Sequence, residues 1–121
     1  MNPIRHIEFW VSDLQKSLDF YKELFRVLKW DHVDDNGFSK DGTKLYFLEM
    51  KNLSAHGGVA GPRHICFQAD DKAIVDAVAK LPKVASRILH GPEIIHAGGS
   101  YMLVFKDPDG YILEVAYKNH E

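Results

Sequence analysis

The sequence predicts an α+β domain that consists of two copies of one β-α-β-β-β module. Three observations support this class: a five-residue motif that recurs once, strand and helix patterns in the same order in each half, and turn signals between the short strands. The chain has 121 residues, the size of one ordinary domain. We therefore expect a single domain over 1–121, with a first module at 1–55 and a second module at 62–118.

The repeat is visible in two pairs of segments. Residues 5–9 read RHIEF and residues 63–67 read RHICF, which gives four identities in five positions. Residues 46–50 read YFLEM and residues 111–115 read YILEV, with Tyr, Leu and Glu at matching places. Two matches in the same order indicate a duplicated supersecondary unit.

The first module begins with a strand and a helix. Residues 4–11 alternate between faces and are rich in β-formers, which is typical of a strand. Ser12 and Gln15 have the spacing of a capping box, so a helix is expected to begin there. Apolar residues then follow at helical spacing and form one face: Leu14, Leu18, Tyr21, Phe25 and Leu28.

Turn signals divide the rest of this module into short strands. Asn36-Gly37 and Asp41-Gly42 are dipeptides that favour tight turns. The last of the strands is expected over 44–50.

The second module repeats this order. Pro82 is expected to stop its helix, and the Asp-Pro-Asp-Gly sequence at 107–110 is a turn signal. The predicted elements are a strand at 63–69, a helix at about 71–81 with Ile74, Val78 and Leu81 facing inward, two strands around Gly98-Gly99, and a strand at 111–117.

Four polar residues of the repeat require an explanation. Strand alternation puts His6 and His64 on the face opposite the helix of their module. Each closing strand is apolar on both faces except for one acid, Glu49 or Glu114. An ionised carboxylate in a strand covered on both sides is costly unless it is paired or bound to a metal. Two imidazoles and two carboxylates would suit one divalent cation.

The spacing alone leaves a second interpretation open. An inward histidine is commonly a hydrogen-bonded core residue, and a buried glutamate commonly pairs with an arginine, for which Arg5 and Arg63 are available. The repeat favours the metal interpretation, because it would place all four side chains at equivalent points.

Composition and charge exclude other classes of function. The net charge of -2 gives no electrostatic reason to expect nucleic-acid or membrane binding. No apolar run approaches the ~20 residues that span a bilayer, and Met1-Asn2-Pro3 leads directly into a strand pattern, so no signal peptide is expected. The single cysteine, Cys66, cannot form an internal disulfide. A cytoplasmic location is the expectation.

The sequence resembles the vicinal oxygen chelate superfamily, also called the glyoxalase/bleomycin-resistance/extradiol-dioxygenase family. The resemblance covers essentially the whole chain and implies paired modules that form an open, U-shaped barrel of mixed β-sheet around one divalent metal ion (Ni, Zn, Co, Mn or Fe), commonly in a homodimer. The residues that carry it are His6, VSDLQKS at 11–17, Phe20-Tyr21, His64-Ile65-x-Phe67, DPDG at 107–110 and Leu113-Glu114-Val115.

The resemblance also implies a ligand set and an activity. His6, His64 and Glu114 match the ligands that the metalloenzymes of this superfamily share, and Glu49 matches the fourth ligand of glyoxalase I. The implied reaction is proton transfer next to a carbonyl of a small molecule, by a lyase or isomerase, with Glu114 or Glu49 as general base. Alternatives are an Fe(II) extradiol-type dioxygenase or a thiol/epoxide transferase, both with three protein ligands, and a non-catalytic resistance protein that binds a small molecule.

Five further residues are candidates to line the substrate pocket. Glu8 and Cys66 share the ligands' side of their strands, and the aromatic residues Trp10, Phe47 and Tyr101 could form a wall. Pocket lining without a part in catalysis is the simpler role for Glu8 and Cys66, and core packing is the simpler role for the three aromatic residues. Nothing local marks Cys66 as a nucleophile.

Overall fold

The computed structural model describes residues 2–53, 60–94 and 99–118. The chain divides into two compact units, Met1–Ser54 and Ala55–Glu121. Each unit contains one four-stranded mixed sheet and its own helical segment, in the order β-α-β-β-β. The predicted α+β class and the repeated module are confirmed.

The first unit forms sheet 1 and one long helix. Strand β1 runs parallel to β4, while β4, β3 and β2 are antiparallel neighbours, so the sheet has the order β1-β4-β3-β2. The elements are β1 (His6–Val11), α1 (Leu14–Leu28), β2 (Asp31–Val33), β3 (Gly37–Lys40) and β4 (Thr43–Glu49).

Helix α1 begins one residue later than the capping box predicts. Asp13 is the N-cap, and its carboxylate accepts a hydrogen bond from Lys16 N at 3.0 Å. Gln15 does not reach back to the cap; its Nε2 donates to Asp19 Oδ1 at 2.8 Å. Asp replaces Ser12 in the capping role because an aspartate carboxylate makes the same bond and also favours the positive end of the helix.

The apolar face of α1 packs as the spacing predicts. Leu18, Tyr21, Phe25 and Leu28 are buried, and Leu14 is half-buried. The Asp41-Gly42 turn is also confirmed: both residues have positive φ (50° and 89°), and Lys40 pairs with Thr43 across it. This is the geometry of a two-residue hairpin.

The second unit forms sheet 2. Strand β5 is parallel to β8, and the order is β5-β8-β7-β6. Of the predicted Gly98-Gly99 turn, Gly98 lies outside the described residues. The elements are β5 (His64–Gln68), α2 (Lys72–Ala79), α3 (Pro82–Ala85), β6 (Ile88–Ile94), β7 (Tyr101–Lys106) and β8 (Ile112–Tyr117).

The helical segment of this unit differs from the prediction in two respects. Helix α2 ends at Ala79, and Pro82 begins the short helix α3 instead of merely ending α2. Proline is well suited to a first helical position, because its missing N–H has no partner there in any case. The buried residues of α2 are Val75 and Val78, whereas Ile74 is half-exposed.

The 107–110 turn is confirmed: Asp107 Oδ1 accepts hydrogen bonds from Asp109 N and Tyr111 N, both at 2.9 Å, and Gly110 has φ 90°. Within the described parts of the chain, no helix has the length and hydropathy to cross a membrane.

Candidate metal centre

Sheet 2 brings His64 and Glu114 together. Both residues lie on the face opposite the buried Phe67 and Val115. Cys66 pairs in register with Glu114, so His64 is the diagonal neighbour of the carboxylate. His64 Nε2 is 3.5 Å from Glu114 Oε1, and the two side chains are 35% and 14% exposed. A nitrogen and an oxygen of the kinds that bind metals therefore lie side by side at a partly open surface.

Arg63 fixes the ring orientation of His64. Its Nη1 lies 3.3 Å from His64 Nδ1. A guanidinium group can only donate, so in this arrangement Nδ1 is the acceptor and Nε2, which is turned towards Glu114, carries the imidazole proton. Metal binding through Nε2 would require that proton to move to Nδ1 and the contact with Arg63 to open. The imidazole is thus held between a cation and a carboxylate.

Cys66 is a thiol in this setting, not a thiolate. Desolvation and then the nearby Glu114 carboxylate raise the pKa of the Cys66 thiol to about 11. Both effects disfavour the anionic sulfur that a nucleophile requires. This geometry agrees with a pocket-lining role and gives no support to nucleophilic catalysis by Cys66.

His6 lies on the corresponding face of sheet 1, the face opposite α1. We call this face the open face of sheet 1. The face is defined by the exposed side chains of His6, Glu8 and Trp10, which alternate with the inward residues of β1. Trp10 is 49% exposed. The His6 ring meets Tyr46 edge-on, with ring centroids 5.9 Å apart and planes at 78°.

The strand pairing corrects the alignment of the two modules. His6 pairs with Lys44, and Tyr46 lies two residues further along β4. His64 pairs with Ile112, and Glu114 lies two residues further along β8. The structural counterpart of Glu114 in sheet 1 is therefore Tyr46. The expectation that Glu49 and Glu114 occupy equivalent points is wrong, because the YFLEM/YILEV match is offset by three residues from this pairing.

Glu49 lies away from His6. It is exposed and pairs with Val11 at the far end of β4. It lies on the same face of β4 as the inward residue Phe47, two positions away. Its Oε1 accepts a hydrogen bond from Leu14 N at 2.9 Å, at the first turn of α1. Glu49 therefore lies at the N-terminus of α1, where a carboxylate is favourable.

The pocket candidates separate into two groups. Glu8, Trp10 and Cys66 lie on the faces that carry the histidines. Phe47 is fully buried beside Tyr21, at 4.3 Å between ring centroids, so it belongs to the core. Tyr101 donates to Asp76 Oδ1 of α2 at 2.5 Å and lies on the helix side of sheet 2. Inward packing therefore excludes Phe47 and Tyr101 from the faces that carry the histidines.

Tyr46 is the residue of this region that the sequence analysis missed. The signal was present: Leu45-x-Phe47 matches Leu113-x-Val115 as a pair of inward-facing apolar residues. Packing constrains these buried positions, so an alignment based on them would have matched Tyr46 with Glu114. The identical Tyr, Leu and Glu letters were weaker evidence, because two of them are surface residues in sheet 1.

Among residues 2–53, 60–94 and 99–118, no three His, Cys, Asp or Glu side chains lie together as a group that could hold a metal. The second unit carries the His64–Glu114 pair on one face of sheet 2, and the first unit carries His6 on the open face of sheet 1.

A sequence profile described as "Glyoxalase/Bleomycin resistance protein/Dioxygenase superfamily" matches residues 4–115. Metallothiol transferase FosB of Bacillus licheniformis is 30% identical over 114 residues, which cover 93% of this chain and 73% of that protein. Lactoylglutathione lyase GLX1 of Arabidopsis thaliana is 23% identical over 121 residues, which cover 91% of this chain and 42% of that protein. The crystal structure of a glyoxalase/dioxygenase from Nostoc punctiforme has a TM-score of 0.75 at 23% identity and covers 99% of this chain and 97% of its own.

Proposed function

Because the chain belongs to the Glyoxalase/Bleomycin resistance protein/Dioxygenase superfamily, we propose that it is a metal-dependent enzyme that transfers a thiol to a small electrophilic molecule. We propose His6, His64 and Glu114 as the three protein ligands of one divalent ion. The observation that carries this choice is Tyr46, which stands where a four-ligand site would need an acid. Three protein ligands are what the resemblance implies for thiol/epoxide transferases.

The chemistry of the donors fits a divalent metal ion. Glu114 supplies a carboxylate oxygen beside the Nε2 donor of His64, at 3.5 Å. Two imidazoles and one carboxylate suit Mn, Fe, Co, Ni or Zn, and they leave coordination positions for substrate. The charge of one carboxylate only partly offsets a divalent ion, which leaves a net positive centre suited to an anionic oxygen.

The proposed step is a nucleophilic displacement at carbon. The thiol sulfur attacks an electrophilic carbon of a strained C–O bond, such as that of an epoxide; a C–S bond forms and the C–O bond breaks with its electron pair on oxygen. The thiol proton ends on that oxygen, so the reaction needs no oxidant or reductant. The metal, when bound, supplies stabilisation of the negative charge that develops on the oxygen.

Residues on the open face of sheet 1 would hold the reactants. Glu8 lies two residues from His6, about 7 Å along the strand, and its exposed carboxylate can accept the thiol proton. Trp10 lies a further two residues away and offers apolar surface for the carbon skeleton of the substrate. A reducing cytoplasm would supply the thiol.

The relative named metallothiol transferase supports thiol transfer over dioxygen chemistry, for which the donor set is equally suitable. A second candidate is the glyoxalase-type isomerase that the sequence analysis favours, supported by the relative named lactoylglutathione lyase. That candidate requires Glu114 to act as base and a fourth ligand from the first module. The isomerase is the second candidate because Tyr46, which is not an acid, stands where that fourth ligand would be needed.

The test is an activity comparison on protein reloaded with Mn, Co, Ni, Zn or Fe(II). The purified chain is incubated with cysteine or glutathione and a small epoxide, and in parallel with methylglyoxal and the same thiols. We expect metal-dependent thiol consumption with the epoxide, abolished by a chelator, and no isomerisation of the methylglyoxal adduct. Isomerisation without epoxide opening would establish the glyoxalase-type candidate in its place.

A further inference from the structure

Tyr46 is held from three directions on the open face of sheet 1. Its phenolic O–H donates to Asp34 Oδ2 at 3.2 Å. Its ring covers Gly37, where an added Cβ would lie 2.7 Å from Tyr46 Cε1 and 2.8 Å from Cδ1. The same ring meets the edge of the His6 imidazole. The absence of a side chain at position 37 is therefore what allows the phenol to lie over Gly37 and to meet the His6 ring edge-on.

The turn between β2 and β3 fixes the acceptor of this contact. Asp34 has φ 53°, a left-handed conformation that aspartate tolerates better than most residues. Asn36, in the same turn, donates from Nδ2 to Phe47 O of β4 at 2.8 Å. The turn is thus tied to the strand that carries Tyr46, and the Asp34 carboxylate stays within reach of the phenol.

The two proposed histidine ligands are oriented in different ways. His64 lies between Arg63 and Glu114, which hold both of its ring nitrogens. His6 contacts the ring of Tyr46 instead. Partners that orient a ligand histidine lower the conformational entropy lost on metal binding, and their removal typically costs roughly 10–100-fold in metal affinity.

We propose that Tyr46 is a positioning residue: tethered by Asp34 and seated over Gly37, it orients the His6 imidazole for metal binding. This inference rests on the proposed function, because it requires His6 to be a ligand. Tyr46 itself takes no part in the chemistry. Its effect is on metal affinity, through the range of orientations that the His6 ring samples.

The test measures Co²⁺ affinity of the full chain by competition with a metallochromic chelator. Tyr46→Phe keeps the ring and removes the O–H. Asp34→Gly removes the acceptor at a residue whose positive φ glycine adopts without strain, and Asp34→Asn retains an oxygen acceptor. Tyr101→Phe is the matched control, since it deletes an equivalent phenol–aspartate hydrogen bond on the helix side of sheet 2.

We expect Tyr46→Phe and Asp34→Gly to bind Co²⁺ about 10-fold more weakly, Asp34→Asn to recover most of the affinity, and Tyr101→Phe to match the parent protein. Nuclear Overhauser contacts between the His6 and Tyr46 rings in metal-free protein should be present in the parent and weaken in Asp34→Gly, which supports the inference even if Tyr46→Phe folds poorly. Unchanged affinity in Asp34→Gly overturns the inference. Unchanged affinity in His6→Ala overturns the ligand assignment of the proposed function, a separate result.

Discussion

Glu49 and Glu114 show how the same residue type takes different roles at the end of two similar strands. Glu114 lies beside His64 and is 14% exposed, whereas Glu49 is exposed and accepts a hydrogen bond from Leu14 N. The side of the strand decides the difference. An odd shift in position along a strand moves a side chain to the opposite face.

We predict that Glu49→Gln retains its metal and its turnover. Glutamine keeps an oxygen that can accept from Leu14 N but loses the charge that favours the helix N-terminus. The free energy of unfolding should fall by roughly 0.3–1 kcal/mol. Urea denaturation and metal analysis of the same sample measure both effects. A loss of metal content would restore Glu49 to the ligand set and favour the isomerase candidate.

Glu114→Gln should have the opposite profile. Removing the carboxylate charge beside His64 is expected to weaken Co²⁺ or Mn²⁺ binding by at least about 100-fold, more than the loss of an orienting partner, and to abolish thiol transfer. Isothermal titration with the metal alone measures the affinity, and Glu49→Gln is the matched control for charge. Equal metal affinity in the two variants would contradict the proposed centre.

At the level of elements, helix α2 and strand β7 are joined by the bond from Tyr101 to Asp76. This hydrogen bond, followed by desolvation and the Asp76 charge, raises the pKa of the Tyr101 phenol above its ordinary value of 10.0. Because the neutral phenol is the form that the folded state favours, the contact stabilises the fold at neutral pH. The stabilisation is lost as the pH rises through 10 and the raised pKa.

We predict that Asp76→Asn lowers the pKa of Tyr101 towards its ordinary value. Subtracting the alkaline absorbance titration of Tyr101→Phe from that of the parent isolates this phenol. The fall in thermal stability above pH 10 should be smaller in Asp76→Asn than in the parent. An identical Tyr101 titration in the two proteins would show that the bond does not persist in solution.

For the whole molecule, exposed apolar surface is the basis of a prediction about self-association. Leu48, on the open face of sheet 1, is 44% exposed. Leu89 and Ile94, on edge strand β6, are 43% and 61% exposed. Large apolar side chains and unpaired strand edges at the surface are features that a second copy can cover.

We therefore predict a homodimer that binds one divalent ion per chain. Sedimentation velocity at micromolar concentration should give twice the chain mass of 13.8 kDa, and elemental analysis should give about one ion per chain after reloading. A monomer would contradict the predicted assembly, and metal uptake by that monomer would show that a single chain suffices to form the site.

The sequence by itself determined the duplicated module and the class of fold, and it pointed to the three residues that are proposed as ligands. Strand alternation, helical spacing and the Asp41-Gly42 turn are local rules, and the structure follows them in β1, α1 and the β3–β4 hairpin. Family resemblance added His6, His64 and Glu114 as a set. The elements were predictable because strand alternation, helical spacing and tight turns each depend on neighbours a few residues away.

Only the tertiary structure decided which acid shares a face with a histidine. Register between β1 and β4 joins residues that are far apart in sequence, and it is set by packing of the inward apolar side chains under α1. The identical sequence letters aligned Glu49 with Glu114, but this packing makes Tyr46 the counterpart of Glu114. The number of ligands in the centre, and with it the proposed reaction, therefore depends on contacts that no local pattern contains.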